Sequence, residues 1–88
     1  MSSSQRLTEY EVRPIDTDGD SIDMDAFTRM ADAIKYAKRI APNYPAVVVE
    51  RHRMIIEDDS LAHSDYEVVA HFGDDAVLRL WGGCNIGK

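Results

Sequence analysis

From Ala26 to Ala41 the apolar residues recur at intervals of three and four. Phe27, Met30, Ala31, Ile34, Ala37 and Ala41 share one face of a 3.6-residue helix, widened by Ala33, Tyr36 and Ile40, while Arg29, Asp32, Lys35, Lys38 and Arg39 take the other. The spacing predicts an amphipathic helix over this stretch. Asp25 is its expected N-cap, a side chain that accepts from the unpaired amides of the first turn. Asp23 and Asp25 suit the positive end of the helix dipole, and Lys38 and Arg39 the negative end. Pro42 lacks an amide hydrogen and disfavours helical geometry at Ala41, so the helix closes there.

On either side the period falls to two. Residues Leu7 to Ile15 alternate around Tyr10 and Val12, which predicts a half-buried strand ending near Pro14. The Asp18-Gly19 step supplies turn chemistry, with Ser21 to Met24 as a short returning strand. After the helix, Ala46-Val47-Val48-Val49 and Met54-Ile55-Ile56 flank Glu50-Arg51-His52-Arg53; one long strand, or two meeting at a bulge, fits this stretch, in which neither parity is cleanly apolar. Tyr66, Val68, Ala70 and Phe72 alternate with Glu67, Val69 and His71. Gly73-Asp74-Asp75 then turns, and Ala76 to Trp81 is expected as the last strand.

A lone amphipathic helix buries its stripe against a sheet. The prediction is therefore a two-layer α+β domain, with one helix packed on an antiparallel sheet of four to five strands in the order ββαβββ. Residues 7–82 form the single domain, preceded by a disordered stretch at 1–6 and followed by a flexible tail at 83–88. The sheet face away from the helix is expected to show Arg51, Arg53, His71 and Arg79.

Composition narrows the function more than it defines it. At 88 residues and 44% apolar content there is material for one modest core. Sixteen acidic against ten basic residues give a net charge of −6, which repels a phosphate backbone, so direct nucleic-acid binding is not expected. No apolar run approaches the length that spans a bilayer, and the first residues lack the apolar segment of a secretory signal. Cys84 is the single cysteine, so no internal disulfide can form; a reducing, cytoplasmic setting without membrane contact is expected.

The densest chemistry lies at 16–25, where five aspartates occur in ten residues. With one position deleted after Asp20, the stretch resembles the calcium loop of the EF-hand family, and the resemblance implies ligands at Asp16, Asp18 and Asp20, with Ile22 and Asp23 at the aliphatic and ninth positions. It departs from that pattern at three points: the bend glycine is the missing residue, the bidentate glutamate position holds Ala26, and a strand precedes the loop. An Asp-rich turn leading into a helix cap is therefore expected, with Asp16, Asp18 and Asp20 as a weak metal candidate and no resident cofactor. His52, His63, His71 and Cys84 lack the short spacings of zinc modules. Cys84 follows Gly82 and Gly83 near the chain end, Ser60 and Ser64 flank His63 without an acid in view, and no phosphate-binding or dinucleotide fingerprint occurs. No enzyme activity is expected.

What remains is a small acidic protein-binding domain, with a homodimer through a strand edge or the sheet's open face as one form of it. The contact candidates are Asp16, Asp18, Asp20, Tyr36, Arg51, Arg53, Asp58 and Asp59, while Phe72 and Trp81 are assigned to the core. The alternative is an inhibitor that shows an acidic surface to a nucleic-acid-binding protein. In size and acidity the chain is similar to small phage proteins, including some anti-CRISPR proteins, and that role is what the resemblance implies.

Overall fold

The structure, a computed structural model, describes residues 4–82. Its centre is an antiparallel ladder between β1 (Ser4–Ile15) and β3 (Ala46–Glu57), paired from Ser4↔Glu57 to Ile15↔Ala46. β2 (Asp25–Phe27) adds to the outer edge of β1, and β4 (Ser60–Gly73) to the outer edge of β3, giving one sheet in the order β2-β1-β3-β4. The α+β class expected from the pattern is the one observed. The strand begins at Ser4, three residues before the expected Leu7, and the tail at 83–88 lies outside the described residues.

The helix α1 (Met30–Ile40) starts later than its periodicity suggests. Asp25, Ala26 and Phe27 pair with Val12, Glu11 and Tyr10, because the ladder satisfies backbone groups that a first helical turn would leave unpaired. Asp25 is thus not the N-cap. That position falls to Arg29, which has extended geometry and no side-chain cap. The returning strand expected at Ser21 to Met24 is reduced to a single bridge, Ile15↔Ser21. The C-terminus behaves as expected: a 3₁₀ turn at Ala41–Asn43 carries Pro42 and ends the helix.

α1 lays Ala33 and Ala37 on Val12, Val47 and Val49, with Tyr10, Phe27, Tyr36, Ile40, Ala70 and Phe72 around them. The small side chains let the helix backbone approach the sheet closely. Phe27 and Tyr36 close one flank, their ring centroids 5.3 Å apart.

The expected last strand is instead a second helix, α2 (Asp75–Gly82). Asp74 starts it by accepting the Ala76 amide on its carboxylate (2.8 Å) and the Leu78 amide on its carbonyl (3.0 Å). Gly73, at φ +106°, lets the chain leave the sheet; a Cβ there would lie 2.4 Å from the Pro45 carbonyl oxygen. Val77, Leu78 and Trp81 fall on one helical face and pack against Ile15, Ala46, Val48 and Val68. Trp81 is therefore at the core margin as expected, but on a helix. Since successive strand residues point to opposite faces, Val47 and Val49 feed the α1 side while Ala46 and Val48 feed the α2 side.

β3 is unbroken, and the irregularities lie in its partner. Val49 pairs with Ala70 and Glu50 with Val68, leaving Val69 as the extra residue; Ile55 pairs with His63 and Ile56 with Leu61, leaving Ala62. Arg51 and Arg53 share the parity of Val49 and so lie on the α1 side, not on the far face, while Arg79 sits on α2. Both helices cover only one end of the sheet. The other end, residues 4–9 with 52–57 and 60–66, continues as a three-stranded arm closed by the Asp58-Asp59 turn, whose residues take φ values of 51° and 66°. The arm accounts for overall dimensions of 49 × 26 × 20 Å.

The turn before β2 is tucked under α2. Gly19 has φ +85°, and a Cβ there would meet the Leu80 Cβ at 2.6 Å. Gly19→Ala is expected to destabilise the domain by about 1–3 kcal/mol, from left-handed strain plus displacement of α2, read as a lower urea midpoint at unchanged slope.

Candidate functional site

Where the apolar cover of α2 ends, the same sheet face turns polar. Glu11 and Arg13 precede Ile15 on β1 in alternate positions, and Glu50 and His52 follow Val48 on β3 in the same parity. The ladder sets Glu11 directly opposite Glu50, and both are almost enclosed, at 7% and 4% exposure. Like charges facing across a ladder repel, so the pair needs a cation between them. Arg13 supplies it: Nη2 donates to Glu11 Oε1 at 2.6 Å and Nε to Glu50 Oε1 at 2.7 Å. His52 completes the group, its Nε2 3.3 Å from Glu11 Oε1 and 3.6 Å from Glu50 Oε1, and its ring stacks on Tyr66 at 5.4 Å. A cavity of about 330 Å³ opens beside it, lined by Arg13, Glu50, His52, Tyr66 and Trp81.

The residues singled out from the sequence are scattered over the molecule. Asp16 Oδ1 accepts the amides of Asp18 (2.8 Å) and Asp20 (3.0 Å), so this carboxylate organises the turn. Asp58 and Asp59 lie at the arm tip, separated from the Asp16–Asp20 turn by the whole of β3, about 36 Å of strand. The five aspartates do not share one surface. At the base of the arm Arg51 pairs with Glu67, and on the arm Arg53 Nε donates to Asp65 Oδ1 at 3.0 Å. With His63 Nε2 at 3.4 Å as well, the Asp65 carboxyl is held below the usual carboxylate range, chiefly by the Arg53 hydrogen bond. Arg53, His63 and Asp65 border a shallow cavity of about 360 Å³ with Arg6, Thr8 and Ile55. Tyr36 faces elsewhere: its hydroxyl donates to Asp25 Oδ2 at 2.9 Å, and that bond raises the phenol above its ordinary value.

The histidines also separate. His63 lies on the α1 face of the arm and His52 on the opposite face, while Cys84 lies outside the described residues. Of the enclosed cluster, the sequence reading singled out only His52. Its signal was present as charged residues two apart in two strands, each next to apolar residues of the same parity, but it becomes a site only once the register places 11 opposite 50. No protein-family model matches this chain, and neither a curated protein nor a solved structure matches it.

Two outcomes follow from these contacts. Arg13→Ala leaves two enclosed carboxylates facing each other and is expected to cost about 3–5 kcal/mol in denaturant unfolding, whereas Arg13→Met combined with Glu11→Leu and Glu50→Leu stays near the parent or above it. The Tyr36–Asp25 bond is worth its full stability below the ordinary tyrosine range and is lost as pH rises through the raised folded value. Asp25→Asn should therefore bring the Tyr36 transition, followed by phenolate absorbance, down to lower pH.

Proposed function

We propose that the chain is a small non-enzymatic protein-binding domain that docks through the arm of its sheet and assembles as a homodimer along the outer edge of β4. The observation that carries this reading is the mismatch between strand length and helix cover. β1, β3 and β4 run for 12, 12 and 14 residues, yet α1 and α2 pack on one end alone. The remaining length leaves Leu7, Leu61 and Tyr66 exposed, and half-buried Met54, Ile55 and Ile56 beside them. Among the described residues nothing pairs with the outer edge of β4. A long free edge invites a further strand, and this one carries neither proline nor lysine to deter it.

The bulged residues Ala62 and Val69 bracket a regular segment, His63 to Val68. Two such edges meet antiparallel about an axis normal to the sheet, so opposed residues share a face. Centring the pair on Asp65, Tyr66 or Glu67 would oppose carboxylates. Centring it on Ser64 sets His63 of one copy opposite Asp65 of the other, which supports that register. The contact candidates Arg53, Asp58 and Asp59 lie on this arm and Arg51 at its base, whereas Tyr36 and the Asp16–Asp20 turn do not.

Size-exclusion chromatography with light scattering should return twice the chain mass of 9.9 kDa. Ser64→Pro, which blocks strand addition at the centre of the edge, and Leu61→Lys with Tyr66→Lys, which charge the arm, should each shift the species toward monomer. A parent that stays monomeric at high micromolar concentration would remove the homodimer.

A further inference from the structure

Three features besides the free strand edge are open to a ligand: the hollow beside Tyr36, the Asp16–Asp20 turn, and the enclosed cluster at the border of α2. The hollow is shallow and lined by mobile side-chain types, Asp32, Lys35 and Arg39. The turn spends Asp16 Oδ1 on its own amides. The cluster is different, because its groups converge and one of them, His52, is left without a partner.

His52 Nε2 has no hydrogen-bond partner although it is shut off from solvent. Two carboxylate oxygens lie at 3.3 and 3.6 Å, the nearer out of line for a hydrogen bond and the farther beyond its reach. An enclosed nitrogen left in that state is costly. Charge points the same way, since two enclosed carboxylates are balanced by the single guanidinium of Arg13. Ligand atoms of Glu11, Glu50 and His52 all lie within 4.8 Å of one another. The edge of a tetrahedron with metal–ligand bonds of about 2.0–2.1 Å is about 3.3–3.4 Å, the separation at which Nε2 stands from Glu11.

We propose that Glu11, Glu50 and His52 form a binding site for a divalent transition cation of the zinc type. One imidazole and two carboxylates suit such an ion better than calcium, which takes six or more oxygens. The cavity beside Glu50 and His52 leaves room for water as the fourth ligand. Arg13 need not leave, because each carboxylate has several lone pairs, and it orients both ligating groups from outside the coordination sphere. An ion seated there would clip β1 to β3 at the border between core and arm. The site borders the arm, where His52 stacks on Tyr66, so its test is read on the wild-type chain and uses none of the docking variants.

The experiment is a zinc titration of the metal-stripped full chain, followed by the imidazole nitrogen resonances of the wild type. The expected result is a saturable shift of His52 Nε2, with His63 and His71 unmoved, and a rise in Tm. Glu50→Gln and His52→Ala should each weaken zinc binding by about tenfold or more, while His71→Ala leaves it unchanged. Cobalt in place of zinc should give the visible bands of a tetrahedral site. No movement of His52 up to millimolar zinc, or movement confined to His63, His71 or Cys84, overturns the proposal, and needs no variant to fold.

Discussion

The ladder between β1 and β3 is the constraint on which the rest depends. Unlike the equally long β3–β4 pairing it runs without a register shift, and its register decides what each helix meets. With Val12 opposite Val49, the α1 face receives valines over which Ala33 and Ala37 can close; with Ile15 opposite Ala46, the α2 face receives the residues that Val77 and Leu78 cover. A slip of one residue would turn every side chain of the slipping strand to the other face at once. The same ladder also carries the sheet beyond both helices, so one pairing builds the core and the uncovered arm together.

Much of this was legible from periodicity. The helix α1, its closure at Pro42 and the strand character of 7–15, 46–56 and 66–72 follow from side-chain spacing, which is a local property, although the buried stripe runs through Ala33 and Ala37 and leaves Met30 and Ala31 exposed. The errors fall where a local pattern had two solutions. Ala76 to Trp81 is a short apolar run that reads as strand by composition; what decides for a helix is the Asp74 cap together with a sheet face still open below. Ala26 and Phe27 fit the helical stripe, but the free edge of β1 captures them first. The run at 46–49 looked ambiguous in parity because it is buried on both sides, a fact that depends on a second helix the pattern did not reveal.

The site was less legible than the fold, for the same reason. Glu11, Arg13, Glu50 and His52 are ordinary strand residues until register brings them together, and two strands separated by 37 positions carry no local sign of it. The aspartates at 16–25 attracted attention through density alone, yet the nearest partners of Asp16 are its neighbours' amides. Dense local charge is visible in a sequence; converging charge is a property of topology.

The position of the cluster gives it a structural consequence whatever it binds. It stands one step outward from Val12 and Val49 along the ladder, where α2 stops supplying apolar cover. If β1 slipped by one residue against β3, Glu11 and Arg13 would turn together toward Ala33 and Ala37, and Glu50 would stay enclosed on the α2 face without its guanidinium. Leaving one enclosed carboxylate without its cation costs about 3–5 kcal/mol. The enclosed charges therefore act against the wrong register more strongly than they favour the right one. Specificity of pairing, more than net stability, is what a core this small obtains from burying two glutamates.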